Sequence, residues 1–494
     1  MEFSSLLFVT GVLPVFLLIY FLIPDVGRRN MLLIVFSLLL ITLRQPVYLP
    51  LLFLLSRYTF SSAKKIRKGQ KRTVALPVAV NLCALLLLKY LDPILVQLGL
   101  FTRQGGLLLG IVKQIVEAMN GLGMTLNIPQ KLAPLGFSFF VLSSVSYLLD
   151  VYRGKCQAES SFRNLLLYLV LFPKYFQGPL ARYAELSSQI RERRENYRVI
   201  FDGALRFCTG FGKKVLLADF CGYMIGEFAA AKSDLTLVGS WLTAVLYFFR
   251  IYYDFSGCCD MAVGLGRILG FRFPENFNRP YLALSVTEFW ERWNLTLRKF
   301  FADYVYEPLK QKQDSALNGF LAMLITVLLY GLWHGASFNF LIFALYFGII
   351  LLIEKHFQSF ITDLPYWLRH TLTILCLMFG WVIFAHPDIS ELAATLKAMA
   401  GEGGLNMPGD GQRFWSSIRL IAFCWIGVTS VPVRIRRFWR NLCGVAGKNK
   451  SCEHGTVMEM VYLGSCFVFM LLMLYLCVVV RVSLPVQPSI FMSL

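Results

Sequence analysis

Five histidines are present, and four lie where polar residues are ordinary: His356 and His370 in polar flanks, His454 in a loop, and His386 closing an apolar run before Pro387. His334 is different. It lies inside Ser315 to Ile353, 39 residues without Asp, Glu, Lys or Arg. Imidazole is the side chain suited to take and return a proton near neutral pH. As one straight helix the stretch would reach about 58 Å at about 1.5 Å per residue, against a hydrocarbon core of about 30 Å. It must tilt strongly or break, and Gly331 and Gly335 are the natural break points. His334 is then expected near membrane depth, where an ionisable residue is a functional candidate by default. A histidine merely satisfied by a neighbouring helix carbonyl is the competing reading, and the local residues leave both open. The histidines are too scattered for metal-ligand spacing, so no metal site is expected.

Asn294 is the second residue of interest. In the run Thr287 to Leu297, helical spacing puts Trp290, Trp293, Asn294 and Leu297 on one face, and Ser285 or Thr287 can cap its start. A packing hydrogen bond is the plainer role for Asn294. It also opens an Asn-Leu-Thr sequon, but the flanks do not read as an exposed secreted loop, so glycosylation is not expected. Residues 258–312 mix Asp260, Arg267, Glu275, Glu288, Arg298 and Asp303 with aromatics, Gly and Pro. Such composition suits amphipathic or re-entrant helices buried in protein or lining a wet cavity.

The elements that must position these residues are membrane helices. Of 494 residues, 57% are hydrophobic and 16% charged, where a soluble chain would carry about 25% charged. Apolar spans are expected over 5–23, 31–43, 47–60, 73–97, 132–149, 163–180, 203–229, 237–257, 317–353, 367–385, 415–432 and 456–481. The fold class is therefore all-α and polytopic, with about 10–12 crossings and re-entrant or amphipathic helices. The first span reads as a retained helix, not a signal peptide. The net charge of +19 speaks to topology, and no nucleic-acid partner is expected. Basic clusters at 64–72, 191–198 and 434–450 are placed in the cytoplasm, with Met1 and the C-terminal tail outside. The twelve cysteines contain no C-x-x-C and read as small buried hydrophobes.

Several blocks together resemble the membrane-bound O-acyltransferase family, in particular its bacterial branch of alginate O-acetyltransferases and D-alanine transfer proteins of teichoic acid synthesis. They are Pro134-Leu-Gly-Phe-Ser-Phe-Phe with Ser146 to Gly154, Phe172 to Pro179 with Arg182-Tyr183, Tyr252-Tyr-Asp-Phe-Ser-Gly through Asn278-Arg-Pro-Tyr281, Thr287 to Trp293, Trp333-His334-Gly335, and Gly380-Trp-Val-Ile-Phe384. They stand in order over about 130–390.

The resemblance implies a catalytic core at 131–390 around a central pore, between N-terminal membrane helices (1–130) and C-terminal helices with an extracytoplasmic tail (391–494). It puts the family's catalytic histidine on His334 and its second polar position on Asn294, where the bacterial branch usually has histidine. Asn294 can orient a carbonyl but cannot serve as a general base. Trp290, Trp293, Trp333, Asp303 and Asn339 are expected to contact substrate. The branch often follows its Asp-Tyr-x-Tyr-x-Pro-Leu motif with Gly-Gly-Asn; here Lys310-Gln-Lys follows Leu309. The branch also often ends in a tail tyrosine; Phe491 stands there, with Ser489 or Ser493 as substitutes.

The implied reaction moves an acyl group, acetyl first, from a cytoplasmic thioester to a hydroxyl of an extracytoplasmic polysaccharide or cell-wall polymer. Acetyl-CoA is the implied donor, an acyl carrier protein thioester the alternative, and no tightly bound cofactor is expected. An extracytoplasmic acyltransferase- or esterase-like partner and a bacterial inner-membrane location follow from the same branch. D-alanyl transfer to teichoic acid is the nearest alternative. A transporter or flippase of an envelope precursor is the alternative of another class, since buried polar residues at a broken helix are transporter features too; no internal repeat supports it. A degenerate member that only anchors a partner is a third reading.

Overall fold

A computed structural model describes residues 5–43, 45–97, 100, 106–121, 134, 136–193, 196–311, 316–405, 410–443, 457–484 and 490. The chain is an all-α, polytopic membrane protein, 82% helical, with no strand among the described residues. Five described helices are long and apolar enough to cross a bilayer: Lys71–Val96, Leu317–His334, Phe338–His356, Tyr366–Ala385 and Val457–Ser483. The pair Gly411–Val428 and Val431–Leu442, bent by 56°, is a broken span or a re-entrant loop. Other expected spans are shorter helices or helices enclosed by protein. The stretch 163–180 is a broken one: Phe162–Val170 ends at Leu171, Phe172–Tyr175 follows, and residues 165–181 are all buried. Irregular backbone at such a place needs protein around it to satisfy its polar groups.

The helices that build the site are α1 (Lys71–Leu86), extended by a π-helical turn Leu87–Leu91, α2 (Tyr197–Gly212), α3 (Leu237–Ile268), α4 (Val286–Trp290), α5 (Leu295–Phe301), α6 (Ala316–His334), α7 (Phe338–His356), α8 (Tyr366–Ala385) and α9 (Val457–Ser483). The 32-residue α3 is the buried centre of the molecule. Thr236 caps it, its Oγ1 accepting from the Gly239 N–H at 3.2 Å. Its packing against α2 depends on paired glycines, Gly203 against Gly264 and Gly210 against Gly257. A Cβ on Gly210 would lie 2.6 Å from the Gly257 carbonyl oxygen, and one on Gly264 2.6 Å from that of Gly203. Small residues at matching intervals let two membrane helices touch backbone to backbone.

Beyond α2, four buried charges balance one another. Lys214 pairs with Asp219 at 2.6 Å and with Asp254 of α3 at 2.8 Å, and Arg481 of α9 pairs with Asp219 at 2.9 Å. The Ile490 N–H donates to Asp254 at 2.8 Å, which brings the end of the chain to the same cluster.

Two expectations change. The charge-free stretch is a hairpin, α6 and α7, joined by residues 335–337. Each helix has 19 residues, about 28 Å, so each is a crossing in itself. The break does fall at Gly335, one of the two expected points, but it separates two crossings, so His334 stands at the end of one of them and not within a single span. Gly331 does not break the helix; it serves close contact, since a Cβ there would lie 2.6 Å from both the Phe340 carbonyl oxygen and Ala344 Cβ. Likewise Thr287 to Leu297 is not one helix. Backbone turns between Trp290 and Leu295, and Asn294 has φ +44°, a left-handed conformation that Asn tolerates better than most residues. The shared face of Trp290, Trp293 and Asn294 is therefore absent. Ser285 is the cap, accepting from the Glu288 N–H at 3.0 Å. Asn294 is buried, so its sequon is not accessible. Met1, Phe491, Ser489 and Ser493 lie outside the described residues.

Candidate active site

His334 is the last residue of α6 and is 5% exposed. Aromatic rings enclose it: Tyr330 one turn earlier at 5.6 Å between ring centres, Trp333 at 4.8 Å, Phe384 at 5.1 Å, Phe340 at 5.8 Å and Phe343 at 6.4 Å. One face of this cage opens to a cavity of about 480 Å³, lined by His334, Tyr247, Arg250, Asn339, Phe384 and Ile490 among others. Asn339 joins α7 to α8 at its wall, donating to the Phe384 carbonyl at 3.1 Å and towards that of Ile383 at 3.4 Å.

A second cavity approaches from the opposite side. It is an apolar slot of about 240 Å³ lined by Trp290, Phe301, Tyr330, Gly331, Phe343 and Phe347. It shares Trp290, Arg298, Tyr306, Met323 and Leu351 with a mouth of about 590 Å³ that also holds Glu354, Lys355 and Arg369. Tyr330 and Phe343 thus line the slot and pack on His334, while His334 lines the other cavity. Three helices run from one opening to the other. Met323 of α6, Lys355 of α7 and Arg369 of α8 line the mouth; His334, Asn339 and Ala385 of the same helices line the far cavity.

Asn294 reaches this arrangement through Tyr330. Its Nδ2 donates to the Tyr330 hydroxyl at 3.5 Å, a long bond at the edge of useful geometry. The amide is available for this because another residue caps α5. Asn276 Oδ1 accepts from the Thr296 N–H at 3.1 Å and from Thr296 Oγ1 at 2.7 Å, and its carbonyl accepts from the Leu295 N–H at 3.0 Å. Backbone donors at a helix start must find acceptors somewhere. With Asn276 supplying them, the Asn294 side chain faces α6.

The other expected site residues divide. Trp290 lines both slot and mouth, 5.4 Å from Tyr330 between ring centres. Asn339 lines the far cavity. Trp293, Trp333 and Asp303 line none of the three. Trp293 packs against Phe277 and Trp381, each at 5.0 Å. Trp333 turns to Phe139 at 5.7 Å. Asp303 pairs with Arg182 at 2.5 Å, and its carbonyl accepts from Arg153 at 2.8 Å. Sequence reasoning passed over Tyr330, although its spacing of four from His334 on a helix was a signal. It also passed over Lys89, the lone charge between Thr73 and Leu91, and Arg250.

His334 thus lines one cavity and packs against the Tyr330 and Phe343 rings that line the slot. Residues 127–387 match the model of MBOAT, the membrane-bound O-acyltransferase family; the chain belongs to it and is an O-acyltransferase. It is similar to a probable alginate O-acetylase of Azotobacter vinelandii, 32% identical over 460 residues, covering 91% of this chain and 88% of that one. It is 28% identical over 445 residues to a peptidoglycan O-acetyltransferase of Helicobacter pylori, covering 82% and 81%. A teichoic acid D-alanyltransferase of Bacillus subtilis is 25% identical over 242 residues, 46% of this chain and 60% of that one.

Proposed function

We propose that the chain transfers an acetyl group from a cytoplasmic thioester to a hydroxyl on the far side of the membrane, with His334 as general base. The observation that carries this is the position of His334 between two cavities that open at opposite ends of α6, α7 and α8. The imidazole takes the proton of the acceptor hydroxyl as its oxygen attacks the thioester carbonyl. The C–S bond breaks, the thiolate leaves, and the imidazolium returns the proton to it. The Tyr330 hydroxyl, accepting from Asn294, keeps its own hydrogen for the carbonyl oxygen where charge develops. Asn294 is then a residue acting through Tyr330.

The charged mouth suits the donor. Arg298, Lys355 and Arg369 suit the phosphates of a coenzyme A thioester, and the apolar slot suits its arm. Sidedness rests on charge. Lys71 begins α1, whose continuation brings Pro93 to the far cavity. Arg198 pairs with Glu459 at the start of α9, whose opposite end leads towards Ile490 at the far cavity. The basic residues therefore lie at the mouth's end, and positive residues favour the cytoplasm. A carrier-protein thioester is the second donor, and D-alanyl the second acyl group. The names of the relatives favour a polysaccharide or cell-wall polymer acceptor in a bacterial inner membrane, and an extracytoplasmic acyltransferase- or esterase-like partner completes delivery.

Arg369→Gln should raise KM for acetyl-CoA about tenfold, the loss of one charge-assisted bond, with kcat little changed. Rates against donor concentration in purified enzyme check this. An unchanged KM would move the donor site elsewhere, and a carrier-protein thioester accepted in place of coenzyme A would reassign the donor. Asn294→Gly keeps the left-handed backbone and removes the side chain with its amide, so its rate should fall about tenfold with little backbone strain. Asn294→Ala adds about 1–2 kcal/mol of backbone strain. A full rate in the glycine variant would leave Asn294 as a turn residue.

A further inference from the structure

We infer that Lys89 and Tyr90 are positioning residues for His334, so that the N-terminal membrane helices complete the active site. This rests on the catalytic reading of His334. The last carbonyls of any α-helix lack partners within it. At the end of α6 two of them are met from outside. Lys89 Nζ donates to the Trp333 carbonyl at 2.5 Å, and the Tyr90 hydroxyl donates to the Leu332 carbonyl at 2.7 Å. The Gly335 N–H also reaches Leu332, at 3.0 Å, where the chain turns into the hairpin. The two residues just before His334 are therefore held by two consecutive residues that lie more than 240 positions away in the chain.

The clamp is a local distortion with a use. Lys89 and Tyr90 belong to the π-helical turn Leu87–Leu91. In a regular α-helix neighbouring side chains diverge by about 100°; the wider π turn narrows that angle, and such turns concentrate at functional sites. Lys89 is the only charge between Thr73 and Leu91, and a charge in such surroundings is costly unless it is matched. The match here is the negative end of the α6 dipole, with the Trp333 ring 5.5 Å from the ammonium. Four residues on, Pro93 lines the His334 cavity. Lys89, Tyr90 and Pro93 all fall outside residues 127–387, the part that matches the family model.

Reaction between bound groups depends steeply on position, with a displacement of about 1 Å costing on the order of 100-fold. Lys89→Met keeps the length and apolar bulk of the side chain and removes the donor and charge. Its kcat should fall roughly 10- to 100-fold, with KM for the thioester within about twofold and the melting temperature in detergent close to the parent's. Lys89→Arg, which restores a charged donor, should recover most of the rate. Tyr90→Phe removes one hydroxyl and serves if the methionine variant does not accumulate folded; its kcat should fall several-fold. A Lys89→Met or Tyr90→Phe enzyme with parental kcat, in a preparation where His334→Ala is inactive, would overturn the clamp and leave the catalytic reading standing. A loss of rate that tracks a lost melting temperature, without rescue by arginine, would reduce the pair to packing. Turnover by His334→Ala would remove the catalytic reading itself.

Discussion

His334→Ala should lose about 10²- to 10⁴-fold in acyl transfer, the range for removing a positioned proton acceptor. Among the described residues, no other imidazole lines the slot, the mouth or the far cavity. The loss should fall on kcat, because the proposed donor site, the charged mouth, lies beyond Trp290 and Tyr330. KM for the donor should stay within a few-fold. His334→Gln should not rescue, since an amide of similar reach accepts no proton near neutral pH. The check is transfer of labelled acetyl groups to the acceptor by purified variants whose melting temperatures match the parent's. A rate near the parent's would return His334 to the other reading of the sequence, a histidine that only satisfies a helix.

Lys214→Met should be the most damaging substitution away from the site. Lys214 is 2% exposed and lies between Asp219 and Asp254, with Arg481 on the far side of Asp219. Removing it leaves two buried carboxylates and one buried cation. Breaking a buried pair by deleting one partner costs about 3–5 kcal/mol, enough to deplete folded protein in the membrane. Lys214→Met with Asp254→Asn restores the charge balance and should recover much of the loss. Thermal unfolding of the three proteins in one detergent checks this. The cluster also bears on the site: Asp254 holds the Ile490 N–H, and Ile490 lines the His334 cavity. A single variant as stable as the parent would show that the cluster carries little of the fold.

The charge-free stretch from 315 to 353 announced a membrane element that had to tilt strongly or break, and the histidine within it. The break falls at residues 335–337, so Gly335 was a legible break point; that Gly331 is not one was hidden, because it depends on contact between the two helices the break creates. Gly331 looks like a hinge in the chain but is spent on the close approach of Phe340 and Ala344. Asn294 was legible as a polar residue among aromatics. Its left-handed backbone was not, because the residue that caps α5 in its place is Asn276, eighteen positions earlier. The mouth was hidden for a similar reason. Arg298, Lys355 and Arg369 stand on three helices, the first and last 71 positions apart, and meet only in the fold. Lys89 was visible as a lone charge in an apolar run, but its partner on α6 was not. Trp293, Trp333 and Asp303 show the converse: they stand in or beside the blocks that carry the family resemblance, yet the fold uses them to pack and pair around the site.

The central claim is that the acyl group enters from the mouth and leaves through the cavity beside His334. Sealed inside-out vesicles, with the cytoplasmic face outward, test it most directly. Labelled acetyl-CoA is added outside and the acceptor polymer with its partner protein is enclosed. The expected result is label on the enclosed acceptor without lysis of the vesicles, and none in vesicles carrying His334→Ala. Label that appears only after the vesicles are opened, or only when donor and acceptor share one side, would contradict a passage through the two cavities.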